Sequence, residues 1–225
     1  MSESEWLEVE DYICDSLIGD DPVLAATLTA CDVTGLPPIA VAPNVGKLLY
    51  LLARLQGAHA ILEIGTLGGY STIWLARALP AGGQLITLEA NPKHAAIAQA
   101  NIERAGLSPI IDLRLGPALE TLPQLVGPFD LIFIDADKEH NAEYFRSAVK
   151  LSHRGSLIVI DNVVRDGDVI DAQSDDPTVK GTRRLFEAMA AEPRVTATAI
   201  QTVGRKGYDG LAIALVTQSP QDKEG

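Results

Sequence analysis

Past the middle of the chain, the stretch LIFIDADKEH (131–140) runs four apolar side chains into Asp135, Asp137, Lys138 and Glu139. A second apolar run, LIVIDN (157–162), ends in Asp161 and Asn162. If the two runs are neighbouring strands, the strand spacing of about 5 Å brings three oxygen donors to one sheet edge. Such a set suits a hard cation, because three protein oxygens leave half of an octahedral Mg²⁺ shell open for water and substrate. The competing reading is an Asp-Asn pair that only makes a turn or caps a helix. Lys138 also has two readings. It is a proton acceptor if burial and a nearby cation lower its pKa, or a plain charge partner of Asp135, Asp137 or Glu139. His140, in the same charged turn, reads as solvated.

Two further stretches carry binding chemistry. In EIGTLGGYS (63–71), Gly65 and Gly69 allow a tight turn and a close backbone approach, and a helix N-terminus would point its amides at a ligand. The spacing is not GxGxxG, and the carboxylate of Glu63 ahead of the glycines would repel a pyrophosphate while suiting a cationic ammonium group. Glu89 closes the next apolar run, where an acid can accept both hydroxyls of a ribose; alone, it also fits a solvated acid ahead of a helix. Glu63 and Glu89 together favour a positively charged adenosyl cofactor over NAD. In GPALETL (116–122), backbone around Ala118 is placed to edge an adenine, although the stretch also reads simply as a helix start.

These residues need a scaffold, and the chain supplies a period. Short apolar runs recur at 60–65, 84–89, 110–116, 129–135 and 156–161. Helical stretches lie between them, most clearly 70–80 and 92–106, the latter with proline in its first turn and glycine at its end. Runs that do not alternate are buried on both faces, which predicts a mostly parallel sheet. RVTATAIQT and YDGLAIALV, after a helix around 178–191, predict an antiparallel hairpin that finishes it. The expected fold is therefore α/β, a doubly wound Rossmann-like sheet. At the front, Val45, Leu48, Leu49, Leu52 and Leu55 are expected on one helical face. Residues 1–40 read as two more helices and a Pro-rich loop. The whole, 1–225, reads as one domain, with a helical cap over 1–57 and an α/β core over 58–217. The loop 165–178, with five aspartates, is expected to be a lid or rim, or else a solvated surface loop.

Composition narrows the partners. A net charge of −12 and a pI near 4.7 would repel a phosphate backbone or an anionic membrane surface, so neither nucleic acid nor membrane is expected. The opening MSESEWLEVE lacks the basic and apolar regions of a signal peptide, and a cytoplasmic location is expected. Cys14 and Cys31 support neither a disulfide framework nor a zinc site and read as packing residues.

With EIGTLGGYS, the strand-end Glu89, GPALETL, FIDADK and IVIDN in this order, the sequence resembles the cation-dependent class I O-methyltransferases that include catechol and caffeoyl-CoA methyltransferases. The resemblance spans roughly residues 36–217. It implies a seven-stranded sheet, S-adenosylmethionine as methyl donor, Mg²⁺ or another divalent ion such as Mn²⁺ or Ca²⁺, a small hydroxylated aromatic acceptor such as a vicinal diphenol, and a homodimer. Position by position, it implies Asp135, Asp161 and Asn162 as metal ligands and Lys138 as base. On the cofactor side it implies Glu63 toward the methionine amine, Gly65, Thr66 and Ser71 in the turn, Glu89 at the ribose, Ala118 at the adenine and Asp135 alongside. Val41 matches a backbone contact to the methionine part more loosely. The chain departs from the pattern at APNVGKLL and at Val163, Val164 and Arg165, segments that would border the acceptor. Two other classes remain. FIDADK also resembles the signature of aspartate-nucleophile phosphatases, though that motif normally comes early and is followed by Thr or Val. A cofactor-binding module without catalysis is the other.

Overall fold

The computed structural model describes residues 2–218; Met1 and residues 219–225 of the expected domain lie outside them. Helix α1 (Glu3–Leu17) starts at a Ser2–Glu5 capping box. Asp21 caps α2 (Pro22–Val33), accepting the N–H groups of Val23 and Leu24 at 3.0 Å. Helix α3 (Pro43–Gln56) opens on proline and stops at left-handed Gly57. Its buried residues are Gly46, Leu49 and Ala53, and Val45, Leu48 and Leu52 pack partly buried against the same core as expected, whereas Leu55, 83 % exposed, departs from the expected face. Small residues make the contact here: a Cβ on Gly46 would lie 2.4 Å from the Trp74 indole. The spacing of large apolar side chains therefore marked the packed face and overran it at Leu55.

Seven strands follow, β1 (Ala60–Ile64), β2 (Gln84–Glu89), β3 (Ile111–Leu115), β4 (Phe129–Ile134), β5 (Ser152–Asp161), β6 (Val195–Gly204) and β7 (Gly207–Val216). Their order is β3-β2-β1-β4-β5-β7-β6; the first five are parallel, and β7 runs antiparallel to both β5 and β6. This is the mostly parallel sheet with a closing hairpin that the apolar runs predict. Helices α4 (Tyr70–Ala78), α5 (Pro92–Arg104), α6 (Ala118–Thr121), α7 (Asn141–Lys150) and α8 (Pro177–Ala191) fill the crossovers. Strand β5 begins four residues earlier than its apolar run, because the register slips opposite Phe129 and the Ser156 hydroxyl donates to the Phe129 carbonyl at 2.7 Å.

The lack of alternation has a direct cause. Leu62, Ile132 and Ile158 pack on one face of the sheet with Phe145 of α7 and Leu185 of α8. Their neighbours Ile61, Leu131 and Val159 pack on the other face with Leu49 and Ile73. The central strands therefore bury both faces. No helix among the described residues is long and apolar enough to cross a membrane.

Chain order reverses between β1 and β4, and in such sheets ligands bind beyond the carboxyl ends at that crevice. There the two strands crowd. Gly65 has φ 99°, and a Cβ on it would sit 2.1 Å from the Asp135 carbonyl oxygen. Only glycine fits.

Candidate active site

The turn after β1 is fastened from below and behind. Glu89 Oε2 accepts the N–H groups of Thr66 at 3.3 Å and Leu67 at 2.8 Å, and Oε1 accepts that of Asn91 at 2.9 Å. Asn101, fully buried on α5, donates to the Gly68 carbonyl at 2.8 Å. A Cβ on Gly68 would meet the Cys31 sulfur, so that thiol packs against the turn. Glu63 is fully buried: it accepts hydroxyl hydrogens from Ser71 at 2.6 Å, Thr87 at 2.7 Å and Thr72. Burial pushes its carboxyl up to about 7 despite these donors.

Across the crevice, Ile134 pairs with Ile160, so Asp135 and Asp161 leave adjacent strands side by side. Asp161 accepts the Asn162 N–H at 2.7 Å, and Asn162 sits in the left-handed region with φ 59°. Burial, then the charge of Asp135, raises the Asp161 carboxyl well above the usual carboxylate range. The cation at hand is Lys138, whose Nζ donates to Asp135 Oδ1 at 2.6 Å. Among the described residues no group of three His, Cys, Asp or Glu side chains clusters for a metal. The donor set here is instead two carboxylates and an amide, with one carboxylate under-compensated, and that oxygen chemistry fits a hard divalent cation.

A cavity of about 500 Å³ joins the two halves, a size ordinary for small-molecule sites. Gly65, Thr66, Ser71 and Glu89 line its turn side, with Ala118 beyond them. Asp135, Lys138 and Asn162 line the opposite side, and Val41, ahead of α3, adds to the wall. Two of the sequence-predicted residues do not reach it. Glu63 lies behind Ser71 with its oxygens occupied, and Asp161, at the end of the neighbouring strand, is not part of the lining.

Other wall residues were not singled out from the sequence. Tyr144, on the first turns of α7, donates its hydroxyl to Asp137 Oδ1 at 2.5 Å, and the other Asp137 oxygen meets the His140 ring. Burial and that acceptor push the phenol up. His94 comes to 3.6 Å from Glu89. The short 3-10 segment between Asp137 and α7 brings Tyr144 back onto the turn, and no sequence period announces that. The loop 165–178 is built rather than trailing: Arg165–Ile170 coils as 3-10 turns, held by Arg183 on the Val169 carbonyl at 2.7 Å, and Arg165 lines the cavity.

Residues 19–215 match the sequence profile of a family described as O-methyltransferase. A Niastella koreensis protein named catechol O-methyltransferase is 56 % identical over 214 residues, covering 92 % of this chain and 96 % of its own. One of the same name from Mycobacterium tuberculosis is 52 % identical over 210 residues, covering 93 % and 95 %. The crystal structure of the O-methyltransferase from Bacillus cereus, in complex with SAH, has a TM-score of 0.95 at 54 % identity, covering 96 % of this chain and 100 % of that one. Likeness of this extent takes in both sides of the cavity.

Proposed function

The chain belongs to the O-methyltransferase family, and on that basis we propose that it carries the methyl group of S-adenosylmethionine to one hydroxyl of a vicinal diphenol held at a divalent cation. Methyl transfer from S-adenosylmethionine follows from the family; the acceptor and the cation are the proposal. The observation that carries it is that Asp135 and Asp161 leave adjacent strands side by side, with Asp135 and Asn162 lining one end of a cavity whose other end presents Glu89 and the glycine turn. Family membership also sets aside the phosphatase reading of FIDADK.

S-adenosylmethionine supplies an electrophilic methyl on a sulfonium. In this reading Glu89, already fixed by three N–H groups, accepts from the ribose, and Ala118 borders the adenine. Ser71 faces the methionine part, with Glu63 orienting it from behind; Gly65 and Thr66 bring backbone close, and Val41 adds a contact from the wall. A divalent cation at Asp135, Asp161 and Asn162 would supply the charge that favours a phenolate at neutral pH, where a phenol is mostly protonated. Lys138, at the same edge, takes the hydroxyl proton, and Asp135 holds its amine in place. Cavity walls on both sides align donor and acceptor, which turns an encounter into a positioned displacement. Residues 2–218 act as one catalytic domain. The two free thiols suit a reducing, cytoplasmic location. Exposed Leu7, Tyr12 and Leu17 on α1 offer apolar surface for a homodimer.

The test is transfer of labelled methyl to catechol, with phenol and thiophenol as controls. Methylation of catechol with little on phenol supports chelation by two adjacent oxygens. Equal transfer to phenol would overturn the diphenol reading.

A further inference from the structure

We propose that the acceptor carries a carboxylate and that Arg165 recognises it; the proposal rests on the reading just given and narrows its substrate class. Arg165 lies three residues beyond Asn162 and lines the cavity on the cation side. The other cation lining that side, Lys138, is engaged by Asp135, and Lys206, whose charge reaches Asp135 and Asp161, donates to the Pro38 carbonyl at 2.6 Å. Among the described residues Arg165 has no ion-pair partner; it donates from Nη2 to Thr178 Oγ1 at 3.3 Å, and its Nε–H is buried without any acceptor. A buried guanidinium N–H left without an acceptor is costly unless something supplies one. The nearby aspartates form no ion pair with it: Asp166 follows in the chain without pairing, and Asp176, exposed at the surface, feels the Arg165 charge but directs its carboxylate to Thr178.

Its placement is also enforced. Arg165 has φ 57°, between Asn162 at 59° and Asp166 at 54°, a conformation that residues with side chains rarely adopt. Asp209 on β7 holds it there, with Oδ1 accepting the N–H groups of Val164 at 2.9 Å, Arg165 at 3.1 Å and Gly210 at 2.9 Å. A strained residue bolted to the sheet beside a binding cavity is a mark of function. The planar fork of one guanidinium matches one carboxylate in a bidentate pair. On a chain of net charge −12, this cation, without an ion pair among the described residues, would favour an anionic acceptor locally against the overall field.

The experiment compares kcat/KM for 3,4-dihydroxybenzoate and its amide, and for 3,4-dihydroxycinnamate and its amide, with S-adenosylmethionine and Mg²⁺ saturating. Each amide keeps the ring and a similar electron-withdrawing group but loses the charge. Wild type should favour the acid of at least one pair by roughly ten- to a hundredfold, the range for a lost charged hydrogen bond. Arg165→Gln should bring that ratio to about one, mainly through KM, and Arg165→Lys should fall between. A wild-type ratio near one in both pairs, or a ratio that Arg165→Gln leaves unchanged, would overturn the proposal while leaving diphenol methylation intact. Wild type that methylates none of the four would instead overturn the diphenol reading, and the proposal with it.

Discussion

Each side of the crevice holds two carboxylates, and the protein treats the pairs differently. On the β1–β2 side, Glu63 receives three hydroxyls and Glu89 receives three backbone N–H groups. On the β4–β5 side, Asp135 has Lys138 and Asp161 has the Asn162 N–H, and the two acids face each other's charge. The first pair has its hydrogen bonds supplied by the fold itself, even though burial still raises Glu63, so it serves as scaffolding for a turn built before any ligand arrives. The second pair is left short of positive charge, which is the electrostatic condition of a site completed by its ligand.

That contrast can be broken most severely at Asp161. Asp161→Ala should lower methyl transfer on the order of a thousandfold, the kinetic equivalent of roughly 4 kcal/mol, while S-adenosylmethionine affinity measured by calorimetry changes little. Glu89→Ala should do the reverse, weakening cofactor binding by roughly tenfold to a hundredfold as charged hydrogen bonds are lost and leaving Mg²⁺ affinity close to wild type. Gly181→Ala on α8 acts on the cation side from a distance. Its Cβ would fall 2.2 Å from the Lys138 carbonyl. It should cost about 1–3 kcal/mol in denaturant unfolding and lower kcat, because the catalytic turn must shift, without a matching change in cofactor binding. The smallest effect is a pH signature. Asp161 has a raised folded-state pKa, so its contribution to stability is complete below the unfolded value of about 4 and is lost as pH rises above it. Metal-free Asp161→Asn should therefore gain on wild type in thermal midpoint as pH rises from about 4 toward neutrality, by a few degrees. Added Mg²⁺ should close the gap by stabilising wild type alone.

Much of this was legible in the residues. Central strands announced themselves because both faces are buried, so Ile61 and Leu62 are apolar for opposite reasons. Strand ends then located Asp135, Asp161 and Glu89. What escaped depends on contacts between distant segments. Glu63 sits in the turn motif, yet its orientation toward Thr87 is decided by pairing with β2. Leu55 is exposed although Leu48, Leu49 and Leu52 of the same apolar pattern pack on the core, because the close contact with α4 is made at Gly46. Tyr144 and Asp209 carry no local signal, since each acts on a loop that sequence alone leaves unattached.

The most direct test of the central claim is methyl transfer to catechol in the presence of Mg²⁺ and again with EDTA, with S-adenosylmethionine binding measured in both conditions. The account predicts that EDTA abolishes transfer and leaves cofactor binding within about twofold, as expected of two independent halves. Transfer that persists undiminished in EDTA would contradict it.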